Sequence, residues 1–369
     1  MRIVINHNEP GPVGWLRAWN WGRAMKKRGH DVWMRPDQSE QITKANVDKV
    51  CDSADVVICG RTHDTETFVL LLAARSLYHF KLVVDTDDNT DEVPQYAHSF
   101  EDWHPGSFLR RMIRGQYKEA DLVTVSTPVL AEVVSKYAKR VVTVPNCVDT
   151  VWHEGVFFRE KEPRHRDDLR IYWGGGANHY DDLLKVKDPL LRICAERPQV
   201  KLIFSNFLPD WAVSELPAHQ AYMIKVAPFA DYPKVLAWLC ADVAIAPLVD
   251  NPFNRSKSHI KYLDYAMARI PGVYERLESY ESVYDGLTGL KASTPDEWYT
   301  QISLLLDTPS LRSGISQQAI RDVQEHWLID QYIGRYETML QELIDSKPLN
   351  KLIPLVEGEP IEYGSHTSQ

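Results

Sequence analysis

The chain has 369 residues, a hydrophobic fraction of 44%, a charged fraction of 25% and a formal net charge of −9. That length exceeds what one core normally serves and predicts two α/β domains of about 150 residues each, and the ordinary composition, free of repeats and low-complexity tracts, excludes a fibre, a solenoid or a disordered chain. The negative balance argues against a protein that coats nucleic acid nonspecifically, and no apolar run reaches the roughly 18 residues of a membrane span.

Met1-Arg2-Ile3-Val4-Ile5 reads as a buried strand with no apolar leader, so a cytoplasmic protein is expected. Short Val- and Ile-rich runs at 2–5, 30–34, 54–59, 80–85, 121–126 and 140–144 alternate with helical spacing, which predicts a parallel doubly wound sheet over residues 1–150. In such a sheet the chemistry follows the strand ends. Asn6 to Trp15 is the first such loop, where Gly14 lets backbone approach a phosphate or sugar, and Arg61-Thr62-His63-Asp64 is the second. Asp85-Thr86-Asp87-Asp88-Asn89 follows the fourth run and brings carboxylates to the rim. Trp103 comes next, and Arg110, Arg111, Arg114 and Lys118 make a basic helix stripe that suits an anionic acceptor. Cys51, Cys59, Cys147, Cys194 and Cys240 are scattered without a CxxC pair and read as reduced core residues.

The rhythm breaks after Asp149, and 151–168 has linker composition. It restarts with runs at 169–173, 200–205, 222–226, 242–248 and 270–274 and helical candidates at 181–196, 231–240 and 258–268, predicting a second Rossmann-like domain over 169–325. Gly174-Gly175-Gly176 leads through His179 into a helix start, a loop that brings N–H groups close to a ligand. Asn254 to Ala266 is the strongest signal. Ser256 or Ser258 can cap a helix on which Lys257, Lys261 and Asp264 share a face, and Arg255 and Lys257 then stand at its N-terminus, where a bound anion offsets their repulsion by the helix dipole. A helical stretch over about 310–345 follows, its last part, 326–346, able to cross back, and 347–369 reads as a loose tail.

Three stretches together resemble the glycosyl transferases group 1 family: Asp121 to Pro128 with Val142 to Asp149, Pro252 to Ala266 with Ile270-Pro271, and Thr288-Gly289-Leu290 with Pro295 to Trp298. The resemblance implies the GT-B fold, two Rossmann-like domains facing a central cleft, and a retaining hexosyl- or pentosyltransferase that uses a UDP- or GDP-sugar. It implies Arg255 and Lys257 at the diphosphate and Asp264 at the ribose. With these, the positions expected to hold the donor are Gly14, Gly174, Gly175, Gly176, His179, Ser256 and Lys261. Arg61, Asp85, Trp103, Arg110 and Arg111 are expected at the acceptor, and His63, Asp87 and Asp88 in catalysis. The family carries two glutamates eight positions apart where this chain has Ser256 and Asp264. No cofactor is expected; a divalent metal at Asp85, Asp87 and Asp88, in the Asp-x-Asp spacing of the GT-A fold, is the secondary reading. The acceptor is left open among a glycan, a small molecule and a hydroxylated base in DNA. A nucleotide-sugar binding protein without transferase activity is the reading from outside enzymes.

Overall fold

The computed structural model describes residues 1–7, 11–34, 42–62, 64–154, 167–226 and 228–345. The apolar runs form two separate six-stranded parallel sheets. In the first, β1 (Arg2–Asn6), β2 (Asp31–Met34), β3 (Val56–Gly60), β4 (Lys81–Thr86), β5 (Leu122–Val125) and β6 (Val141–Thr143) lie in the order β2-β1-β3-β4-β5-β6. In the second, β7 (Leu169–Gly174), β8 (Val200–Ser205), β9 (Ala221–Ile224), β10 (Val243–Ala246), β11 (Gly272–Glu275) and β12 (Leu290–Ala292) lie in the order β12-β11-β10-β7-β8-β9. β12 has no apolar run to announce it: three residues pair with Val273 to Glu275 at the sheet edge.

Both faces of each sheet are covered, which is why the strands read as continuous apolar runs. Ile3, Ile5, Val56 and Ile58 pack on one side with Trp21 and Met25, and Val4, Val57, Val84 and Val123 on the other with Leu71 and Ile113. In the second sheet Ile171, Trp173, Phe204 and Ile245 face one way, and Tyr172, Ile203, Ala244 and Tyr274 the other. Each such aliphatic side chain contributes about 1.5–3 kcal/mol through burial.

The stretch over 310–345 is two helices, Pro309–His326 and Ile329–Ile344. It breaks at Trp327 and Leu328 because the chain turns there to cross back. Val148 N–H donates to Trp327 O at 2.8 Å and Ile329 N–H to Val148 O at 2.9 Å, so the outgoing and returning connections lie side by side. Beyond this point Tyr332, Tyr336, Met339, Leu340 and Leu343 join the core of the first sheet, with the Tyr336 ring 4.7 Å from that of Trp21. The expected linker lies largely, and the tail wholly, outside the described residues.

Candidate functional site

β3 and β4 end at Gly60 and Thr86, so Arg61 and the run Asp87, Asp88, Asn89 leave the first sheet at its carboxyl edge. Arg61 Nη2 lies 3.0 Å from Asp88 Oδ2, and Nη1 3.8 Å from Asp87 Oδ1. Burial and the charge of Asp88 push the Asp87 carboxyl up from its ordinary range. Burial acts the same way on Asp88, but Lys257 and Arg61 outweigh it and hold that carboxyl down. Asp87 Oδ1 is buried and, among the described residues, has no hydrogen-bond partner.

Several expected acceptor contacts are otherwise engaged. Asp85 is buried against Arg17, whose Nε and Nη2 reach its two oxygens at 3.0 and 2.8 Å, while Thr124 Oγ1 donates at 2.6 Å. Arg17 turns its remaining nitrogen to Val144 O and Asn146 Oδ1. Asp85 is therefore the counter-ion that ties the first helix to the crossover and does not converge with Asp87 and Asp88. Among the described residues no group of three or more His, Cys, Asp or Glu could hold a metal ion. Trp103 is a core residue, and its ring lies 5.9 Å beneath the Arg61 guanidinium, so both are committed within their own unit. Arg110 and Arg114 share Asp91 with the Tyr137 hydroxyl, and Arg111 donates to Gly106 O. Asp91 thus offsets part of the stripe's charge from within. Gly14 lies buried in the first turn after β1, and His63 lies outside the described residues.

In the second sheet β7 delivers the three glycines. A Cβ on Gly174 would stand 2.5 Å from the Tyr172 hydroxyl and one on Gly175 2.6 Å from the Trp173 ring, whereas one on Gly176 would meet nothing within 4 Å among the described residues. Packing thus requires the first two, and the third borders open space. His179 closes the short turn that follows, with Nδ1 2.7 Å from Asp182 Oδ2. Burial and the Lys261 charge push its imidazole down to about 4 against the pull of Asp182, leaving a neutral ring.

The helix start differs from expectation. Pro252–Arg255 is one short helix capped by Asn251, and the chain re-enters helix only at Ile260–Met267, with His259 at the N-cap and no side-chain cap. Arg255 closes the short helix, and its guanidinium pairs at the surface with Asp250 at 2.6 Å and Glu278 at 2.7 Å, so it does not stand at a helix N-terminus and shares its charge with two carboxylates. Ser256 is not the expected N-cap but the C-cap of the short helix: its hydroxyl donates to Pro252 O at 2.8 Å and accepts from Asn89 Nδ2 at 3.1 Å. Thr127 donates to Ser256 O and Asn146 to Ser258 Oγ, so 256–258 is the loop on which the first unit docks.

Lys257 Nζ stands 3.7 Å from Asp88 Oδ1 across the junction. Burial and the Lys257 charge push the Lys261 ammonium down to about 8, and Asp264, on the same helix face, is pushed up to about 7 by burial in spite of Lys261 and a hydrogen bond from Tyr232. The structure so brings Asp87, Asp88 and Arg61 from one unit toward Lys257, Lys261, His179 and Asp264 from the other. Sequence reasoning missed Asp182, Asn89, Thr127, Asn146 and Tyr232. Three of these stand two or three places past a strand end, which was the signal available for them.

No protein-family model matches the chain, and no curated protein matches its sequence. Solved structures do match its fold. Sucrose-phosphate synthase from Thermosynechococcus elongatus gives a TM-score of 0.63 at 11% identity over 94% of this chain and 100% of that one. HepE from Anabaena in complex with UDP-glucose gives 0.64 at 14% identity, again over 94% and 100%. A glycosyltransferase from Rickettsia africae gives 0.61 at 10% identity over 93% and 98%. The chain has the GT-B fold. Open α/β sheets bind ligands beyond the carboxyl ends of their strands, and in this GT-B chain those ends meet across one junction, where the charged residues gather. Among the described residues no helix is long and apolar enough to cross a membrane.

Proposed function

We propose that this GT-B chain transfers a sugar from a nucleoside diphosphate sugar, held by the second unit, to a hydroxyl held by the first. The observation that carries this reading is the lysine pair. Lys257 stands on the loop before the helix and Lys261 on its first turn, where burial first and the Lys257 charge second push Lys261 down to about 8, and the carboxylate within ion-pair reach of Lys257 belongs to the other unit. A diphosphate between the two ammonium groups relieves that repulsion and is stabilised as a leaving group. HepE, of the same fold, has been seen with UDP-glucose, which favours a nucleotide sugar as the donor.

Asp264, one turn beyond Lys261, suits the ribose hydroxyls. Asp87, with a raised carboxyl and a buried oxygen that takes no hydrogen bond among the described residues, suits the acceptor hydroxyl, which it orients and whose proton it draws away. Retention of configuration is the outcome the sequence resemblance implies. The test is calorimetry with UDP- and GDP-sugars, followed by mass analysis of products and NMR of the anomeric centre. Lys257→Ala and Lys261→Ala are each expected to weaken donor binding about tenfold, the loss of one charge-assisted contact. If both folded variants bind as the wild type does, the donor site lies elsewhere. Donor hydrolysis without acceptor would rule out a mere binding protein.

A further inference from the structure

We propose that the His179–Asp182 pair reads one hydroxyl of the donor's sugar, with Asp182 holding the proton on Nδ1 and Nε2 accepting the hydrogen bond of that hydroxyl. This inference rests on the donor reading above. A carboxylate can only accept, so the 2.7 Å contact between Asp182 Oδ2 and Nδ1 places the ring's proton there. Nε2 is left with a lone pair and, among the described residues, no hydrogen-bond partner. Asp182 is not free to turn. It is 3% exposed, and its other oxygen takes Val249 N–H at 2.7 Å and the Asn254 amide at 2.9 Å.

The approach to Nε2 is kept open by glycine. Cδ2, the ring atom beside Nε2, is the one that a Cβ on Gly175 would crowd at 3.3 Å, and a Cβ on Gly176 would meet nothing within 4 Å among the described residues. Lys261, Lys257, Asp182 and Asp88 of the first unit are the charged groups that act on the imidazole, and the two ammonium groups oppose its protonation. A bare nitrogen lone pair repels phosphate oxygens, which also carry only lone pairs. Beside the lysines that suit a diphosphate, its partner is therefore the hydroxyl-bearing group attached to it. His179 acts on specificity and Asp182 through His179, as a positioning residue.

The experiment compares wild type, His179→Asn and His179→Gln, each shown folded by near-UV circular dichroism, for binding of UDP, UDP-glucose, GDP, GDP-mannose and the monodeoxy analogues of both sugars. The asparagine keeps the bond to Asp182 but stops short of Nε2; the glutamine reaches it. The inference expects H179N to bind the nucleoside diphosphate as wild type does and to lose about tenfold on the nucleotide sugar. One deoxy position should weaken the wild type and leave H179N indifferent, and H179Q should recover part of the loss. An H179N variant that keeps the full sugar increment, or loses affinity for the nucleoside diphosphate alone, overturns it. So does a wild type indifferent to every deoxy analogue. A wild type that binds no nucleotide sugar at all overturns the donor reading itself, and this inference with it.

Discussion

Asp85 and Asp87 stand two places apart and meet different fates. Asp85 is inside β4 and buried against Arg17, whereas Asp87 lies past the strand end with one oxygen that, among the described residues, takes no hydrogen bond. Asp85→Ala leaves a guanidinium buried without its counter-ion and is expected to cost about 3–5 kcal/mol in urea denaturation. Asp87→Asn should leave stability nearly unchanged and lower kcat about 10²-fold. Asp264 adds a pH dependence. Its folded carboxyl, at about 7 against an ordinary 3.8, holds a proton that the unfolded chain has already released. Its contribution to stability is therefore lost as pH rises from about 4 through 7. Asp264→Asn cannot titrate, so its stability relative to wild type should rise between pH 4 and pH 8 in paired urea titrations. At this scale the Lys261 and Asp264 face was legible, because helical spacing alone puts them on one side; Lys257, expected on the same helix, joins them instead from the loop before it. The fate of Asp85 was not legible, since Arg17 meets it only through the fold, and Ser256 looked like an N-cap because its docking partner Asn89 is more remote still in sequence.

The elements were legible where burial on both faces writes a continuous Val and Ile run, as in β1, β3 and β10. β12 was not, because an edge strand of three residues needs little apolar sequence. The break at Trp327 and Leu328 was also hidden: no proline or glycine marks it, and its cause is pairing with Val148. The helix Ile329–Ile344 beyond it is a working part of the first unit's core, with Leu340 fully buried there. Leu340→Ala should cost about 2–5 kcal/mol. Hydrogen exchange should place the loss in β1 and the helix Asn20–Lys27 rather than in β7 or β10.

The two units meet through polar contacts from Asn89, Thr127 and Asn146 to the loop 256–258 and through the ion pair of Asp88 with Lys257. His259 lies at the same junction, near Asn146 O and 4.2 Å from the Trp327 ring, and burial pushes its imidazole, like that of His179, down to about 4. The unfolded chain takes up these protons near pH 6.5 and the folded one near 4, so stability falls as pH drops through that window. A His179→Gln, His259→Gln double variant should show a shallower loss between pH 6.5 and 4 in thermal melts. The crossing back of the last helix also sets an order of events during synthesis. The face of the first sheet that carries Ile3 and Ile5 emerges from the ribosome early with the helix of Trp21 and Met25 that covers part of it, yet the residues that complete the cover, Tyr332 to Leu343, emerge only after the whole of the second sheet. The unit made first is the one finished last, and its uncovered apolar face is what a chaperone would meet on the nascent chain.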